Sequence, residues 1–232
     1  MLALRPSLER GHFDSGWLDT HHSFAFGGYF DPAHTRFSDL RVLNEDRVRP
    51  GKGFGEHGHR DMEILTWVLE GALEHQDSLG SHGLIRPLQA QVMSAGTGIH
   101  HAEMNGSDKE PVHFLQIWIL PEAQGLAPRY GQADFQESDV RDRWRLIASR
   151  DGAEGSVVVH QDIRIQVARL SAGTSLSRDL DPSRHFWLQV ARGVVKANGL
   201  ALTAGDGLAL SSEARLDLTA AAPSEVLLFD LR

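Results

Sequence analysis

Short apolar runs, each cut off by glycine or proline, recur along this chain, and that cadence limits the folds open to it. The runs "MEILTWVLEG", "RPLQAQVMSAG", "VHFLQIWILP", "SVVVHQDIRIQVARLSAG", "HFWLQVARGVVKANG" and "EVLLFDLR" mix β-branched, aromatic and aliphatic residues. Between them, 23 glycines and 9 prolines punctuate 232 residues. Such runs, with turn signals between them and no long stretch of helical period, predict an all-β barrel or sandwich. The stretch "QESDVRDRWRLIASR", residues 136–150, is predicted to hold a short helix at a junction.

The same order of signals occurs twice. "VLEGALEHQDSLG" followed by "RPLQAQVMSAGTGIHH" reads as strand, turn, strand and glycine-rich turn. "QVARGVVKANG" followed by "LALTAGDGLALSS" repeats it, with "TAGDG" in the place of "SAGTG". An internal duplication of one barrel is therefore expected, over residues 1–140 and 141–232. Composition excludes several functions. With no cysteine, disulfides, thiolate metal sites and cysteine nucleophiles are all ruled out. A net charge of −8 without a basic run argues against nucleic acid or an anionic membrane as partner. "MLALRPSLERGHF" has no signal-peptide core, and no apolar run approaches the roughly 20 residues of a membrane span. A cytoplasmic protein is expected.

Histidine is the unusual residue, with 13 copies, several of them paired. In "GKGFGEHGHRDMEI", residues 51–64, His57 and His59 are two apart. On a strand, residues so spaced share a face and sit roughly 6.6 Å apart; on a helix they point in nearly opposite directions. "TGIHHAEMN" spaces His101 and Glu103 in the same way, while His100 points to the other side. One H-x-H is weak evidence for a metal site. Two matched pairs beside glycine-rich turns in one barrel are much stronger. Three imidazoles and a carboxylate suit Fe(II), Ni(II), Cu(II), Mn(II) or Zn(II), and the absence of thiolates fits a catalytic rather than a closed structural site. Strand parity leaves Glu63 open as well, because positions 57, 59 and 63 are all odd.

The pattern from Gly51 through His57, His59 and Glu63, followed by a glycine turn and His101 to Asn105, resembles the two cupin motifs. Gly71 falls one residue late, Ser94 stands where a proline is usual, and the turn before His101 is longer. More closely, "GWLDTHHSFAFGGYFDP", "FGEHGHRDMEILTWVLEGALEHQDSLG", "MSAGTGIHHAEMN" and "QIWILPE" resemble the pirin family, above all its bacterial members with quercetin 2,3-dioxygenase activity. That resemblance implies two tandem cupin barrels, with one metal in the N-terminal barrel and a C-terminal barrel that has lost its ligands. In the C-terminal half "GTSLSRDLDPSRHFW" offers Ser177 and Asp179 where a histidine pair would stand, and a lone His185 with a structural role.

The general cupin pattern makes Glu63 the carboxylate ligand; the pirin pattern makes it Glu103. Following the pirin pattern, the expected ligands are His57, His59, His101 and Glu103. Glu63 would then orient a histidine or serve structure. Fe(II) is the ion implied, with Ni, Cu, Mn or Zn as other occupants. Glu103 is also the expected base toward a flavonol that reacts with O2 and releases carbon monoxide. The rival reading is a metal-dependent regulatory protein acting on a protein partner. His22, in the "HSFAF" segment, is expected in a hydrogen-bonded structural role, with a place near the pocket as the alternative, and a loop role is expected for His75. His12, His34, His82 and His160 are expected at the surface or in turns. Gln116, if buried, would need partners and would border the site.

Overall fold

Strands whose alternate residues are apolar can close into a barrel, and this chain does so twice. The computed structural model describes residues 1–232. In the N-terminal half a seven-stranded sheet runs in the order Arg129–Asp134, Gln89–Ser94, Glu63–Glu70, Val112–Ile119, Leu40–Val48, Leu18–His22 and Gly11–Asp14. A four-stranded sheet of Gly53–His59, Ile99–Asn105, Leu73–Asp77 and His82–Ile85 faces it. The C-terminal half repeats the plan. Its four-stranded sheet orders Ser175–Asp179, Arg215–Ala220, Val194–Ala197 and Leu200–Thr203 as in the first half. The helix expected within 136–150 is a single turn, Glu137–Val140, closed at its start by the Gln136 backbone amide, which donates to Asp139 Oδ2 at 2.8 Å.

Only one strand leaves its own half. Leu2–Arg5 pairs antiparallel with Gly207–Ser211 and ends the C-terminal sheet, in the place that Arg129–Asp134 takes beside Gln89–Ser94. The chain's first strand therefore covers an edge that would otherwise be open to pairing with another molecule.

The two seven-stranded sheets also bury their outer faces against each other. Leu43, Leu65, Trp67, Leu115 and Ile117 from the first half form one cluster of 26 buried residues with Ile165, Val167, Trp187, Leu227 and Phe229 from the second. That cluster exceeds the 16-residue interior of the C-terminal barrel, so the surface between the barrels is the larger apolar core. Glycine is needed where backbones meet. A Cβ on Gly53 would lie 2.3 Å from the Glu103 carbonyl oxygen, and Gly71, at φ +75°, would bring one to 2.6 Å from that of Pro111.

Candidate functional site

Inward-facing residues of the N-terminal barrel are apolar at both ends and polar between. Along Glu63–Glu70 they are Ile64, Thr66 and Val68; along Val112–Ile119 they are Phe114, Gln116 and Trp118. The polar layer also holds Asn44, Asp46, Gln91, His75, His101 and Glu103, all buried. The corresponding interior of the C-terminal barrel is an apolar cluster. There Leu176 packs inward, while Ser177 and Asp179 are exposed and Ser177 bonds Asp217 at 2.6 Å. The pair expected in the histidine positions therefore faces solvent, because the less exposed face of this strand carries Leu176 and Arg178. His185 is exposed, 3.1 Å from Ser211.

His57 and His59 lie on Gly53–His59, and His101, on the adjacent strand, stands opposite His57 in register. One ring nitrogen of each lies within 4.8 Å of the other two. The Nδ1–H of His57 donates to the Gly55 carbonyl at 2.7 Å, which leaves the Nε2 lone pair free. His101 Nε2 is buried and has no hydrogen-bond partner. An unpaired nitrogen in a polar interior, facing two further imidazoles, fits a metal ion. Burial, then the charges of His57, His59 and His75, pushes His101 down to about 2. Burial and His57 push His59 to about 4. Both rings are thus neutral, the form that ligates metal.

His75 was expected in a loop; the structure overturns this. It sits in the middle of Leu73–Asp77, fully buried, with its Nδ1 3.4 Å from His101 Nδ1 and its Nε2 3.1 Å from Asp77 Oδ2. Burial alone would raise the Asp77 carboxyl, but the bonds from His75 and from the Ser81 and Leu79 amides outweigh it and hold the group ionised. The tautomers follow in order. Asp77 accepts from His75 Nε2–H, His75 Nδ1 accepts from His101 Nδ1–H, and the His101 Nε2 lone pair is left pointing into the site. The signal in the sequence was "LEHQD", where Leu73, His75 and Asp77 share one face at period two.

Glu103 is 3 % exposed, and its Oε2 accepts from Gln116 Nε2 at 2.8 Å. Thr66 Oγ1, 3.5 Å from Glu103 Oε1, also donates to Gln116 Oε1 at 2.9 Å. Burial, helped by the nearby Asp46 charge, raises the Glu103 carboxyl to about 7. Its carboxylate groups with His101 and His75 within 4.8 Å, so His101 joins two overlapping sets. Glu63 faces the opposite way. It accepts from Ser94 Oγ at 2.8 Å and from the His160 amide at 3.1 Å, with His160 Nδ1 at 3.3 Å. Asp61, at φ 49°, separates His59 from Glu63 and puts them on strands of different sheets, so parity does not carry across the break. His100 is exposed on the far face, beside Gly58.

A cavity of about 610 Å³ opens beside this layer, walled by Phe13, Leu18, His22, Phe26, Tyr29 and Phe54, with Asn44 and Asp46 inside it. That volume lies within the roughly 300–1,000 Å³ usual for small-ligand sites. His22, expected either near the pocket or in a structural role, stands in the cavity wall, edge-on to Phe26 with ring centroids 5.3 Å apart. Phe26 in turn meets Trp118, which lies edge-on to His59 with centroids 4.8 Å apart. An aromatic wall thus connects the cavity to the histidines.

The pirin family model matches residues 4–119, and the model of the quercetinase C-terminal cupin domain matches 146–231. The chain belongs to the pirin family. The quercetin 2,3-dioxygenase of Escherichia coli K12 is 46 % identical over 231 residues, 100 % of this chain and 99 % of that protein. Among solved structures, the E. coli bacterial pirin YhhW in complex with nickel(II) matches with a TM-score of 0.94 and 45 % identity, covering 100 % and 99 % of the two chains. E. coli YhaK matches at 0.76 with 31 % identity, covering 95 % and 97 %. No helix of this pirin is long and apolar enough to cross a membrane.

Proposed function

We propose that this pirin is a metal-dependent flavonol dioxygenase of the quercetin 2,3-dioxygenase type, with His57, His59, His101 and Glu103 holding the ion. One observation carries the reading: the buried, unpartnered Nε2 of His101, aimed at the His57–His59 pair beside an aromatic-walled cavity. The name of the 46 % identical relative and the nickel of the matched YhhW structure support it. Fe(II) is the ion we favour by family, with Ni, Cu, Mn and Zn suited to the same donors. A bound divalent ion would supply Lewis acidity toward the flavonol oxygens and a meeting point for O2.

The chain's own residues do the rest. Phe26, Tyr29 and Phe54 stack and enclose the flat rings of the substrate and exclude water. Glu103 takes the proton of the flavonol 3-hydroxyl. Burial makes this carboxyl basic for its type, raised to about 7 before any ion is bound. Gln116, held in turn by Thr66, orients it. In the overall reaction the two ring bonds flanking C3 break, C3 leaves as carbon monoxide, and both atoms of O2 remain in the opened ester. Residues 1–140, apart from the first strand that pairs in the other sheet, form the metal-bearing unit and 141–232 a cupin without ligands, and the protein works in the cytoplasm.

The test is aerobic quercetin decay with O2 uptake and carbon monoxide release by protein loaded with Fe, Ni, Cu or Mn in turn. Turnover is expected with at least one ion, and loss of metal and turnover together in His101→Ala. Glu103→Gln keeps an oxygen donor but not the basicity; it is expected to retain metal and to lose about 10² to 10⁴ in rate. No turnover with any ion would overturn the reading and favour a regulatory role on a protein partner.

A further inference from the structure

A second group of metal-ligating side chains lies outside the barrel interior. On the hairpin of Gly11–Asp14 and Leu18–His22, Leu18, Thr20 and His22 turn toward the cavity, and the alternate residues Asp19 and His21 turn away from it. His12 faces His21 directly in register, and the two rings stack at 4.3 Å with an interplanar angle of 17°. Asp19 Oδ1 lies 2.9 Å from His12 Nε2 and 3.7 Å from His21 Nδ1. One donor atom from each of the three falls within 4.8 Å of the other two. His21 Nδ1 is buried and has no hydrogen-bond partner.

We propose that His12, Asp19 and His21 form a second divalent-metal site, selective for ions that take imidazole and carboxylate, Zn(II), Cu(II) or Ni(II). The spacing is the argument. Bonds of about 2.0–2.2 Å in a tetrahedral shell place neighbouring donors roughly 3.3–3.6 Å apart. The contacts of 2.9 and 3.7 Å from the Asp19 oxygen bracket that separation. The paired strands fix the three Cα positions, and the stacked His12 and His21 rings would turn about them so that their in-plane lone pairs converge on one ion. Asp14, in register with Asp19, adds negative charge beside the site. The neighbouring cations Arg10 and Arg47 both pair with Glu45, at 2.9 and 3.0 Å, which offsets part of the positive charge near the site. A fourth position is left for water or a ligand. An ion there would tie together the two strands whose inner faces wall the cavity.

The experiment is calorimetric titration of Zn(II) into metal-free, tag-free protein, with circular dichroism as the check on folding. Wild type is expected to bind two equivalents. His21→Ala and Asp19→Asn should each lose one equivalent and keep the other. His101→Ala should lose the interior equivalent and keep the hairpin one, so failure of the interior site and failure of the hairpin site are read separately. One equivalent in wild type that vanishes in His101→Ala would overturn the proposal, as would undiminished stoichiometry in folded His21→Ala and Asp19→Asn.

Discussion

At the scale of single residues, the site depends on which ring nitrogen carries the proton. Asp77 is ionised and bonded to His75, which presents its other nitrogen to His101. Asp77→Asn removes the charge and permits the amide to donate to His75 instead, which reverses the tautomer order. Metal affinity, measured by competition with a chelating dye, should fall about 10- to 100-fold, the usual cost of losing a group that orients a ligand. Unchanged affinity would show that His101 keeps its tautomer without the relay. The spacing of His57, His59 and His101 was readable because it is local to two strands. The place of His75 was not: nothing in "LEHQD" says that it pairs beside Ile99–Asn105.

At the scale of a strand, alternation sorts neighbouring carboxylates into opposite behaviour. On Leu40–Val48, Glu45 faces the charged cleft between the barrels. Burial there is outweighed by His113 and Arg10, at 2.9 Å each, which hold its carboxyl below the usual range. Its stabilisation is present above the ordinary carboxylate pKa and is lost as pH falls toward the depressed value. Asp46 faces inward, and burial, with Glu45 and Asp19 adding to it, pushes it up to about 7. The sign is reversed for Asp46: native protein binds the extra proton between about 4 and 7, so stability falls as pH rises through that window. Asp46→Asn should therefore exceed wild type in urea stability above pH 7 by a margin that shrinks toward pH 4. A margin independent of pH would refute this. The strand Glu63–Glu70 shows the same division, with Thr66 inward and Trp67 outward, where the indole donates to Glu225 Oε1 of the C-terminal half at 2.7 Å. Trp67→Ala opens a hole in the core between the barrels and should cost about 3–5 kcal/mol by chemical denaturation.

At the scale of the whole molecule, the two barrels are bound together by the apolar core between their sheets and by the first strand. Arg5, 3 % exposed, donates to the Ser23 carbonyl at 3.1 Å and to Tyr29 Oη at 2.8 Å, so this strand also braces the cavity wall. Deleting residues 1–5 should lower Tm and bring self-association in size-exclusion chromatography, because the edge of Gly207–Ser211 is left unpaired. A monomer of unchanged Tm would show that the strand is dispensable. The sequence by itself determined the all-β class, the duplication and the spacing of three histidines, because strand period and turn chemistry act between residues close in the chain. Only the tertiary structure decided that His75 joins the site, that Glu63 faces away from it, that Leu2–Arg5 crosses to the far barrel, and that side chains drawn from residues 12–54 enclose a cavity. Each depends on pairing between distant segments, which is set by how well whole sheets bury one another and leaves no mark at the residues themselves.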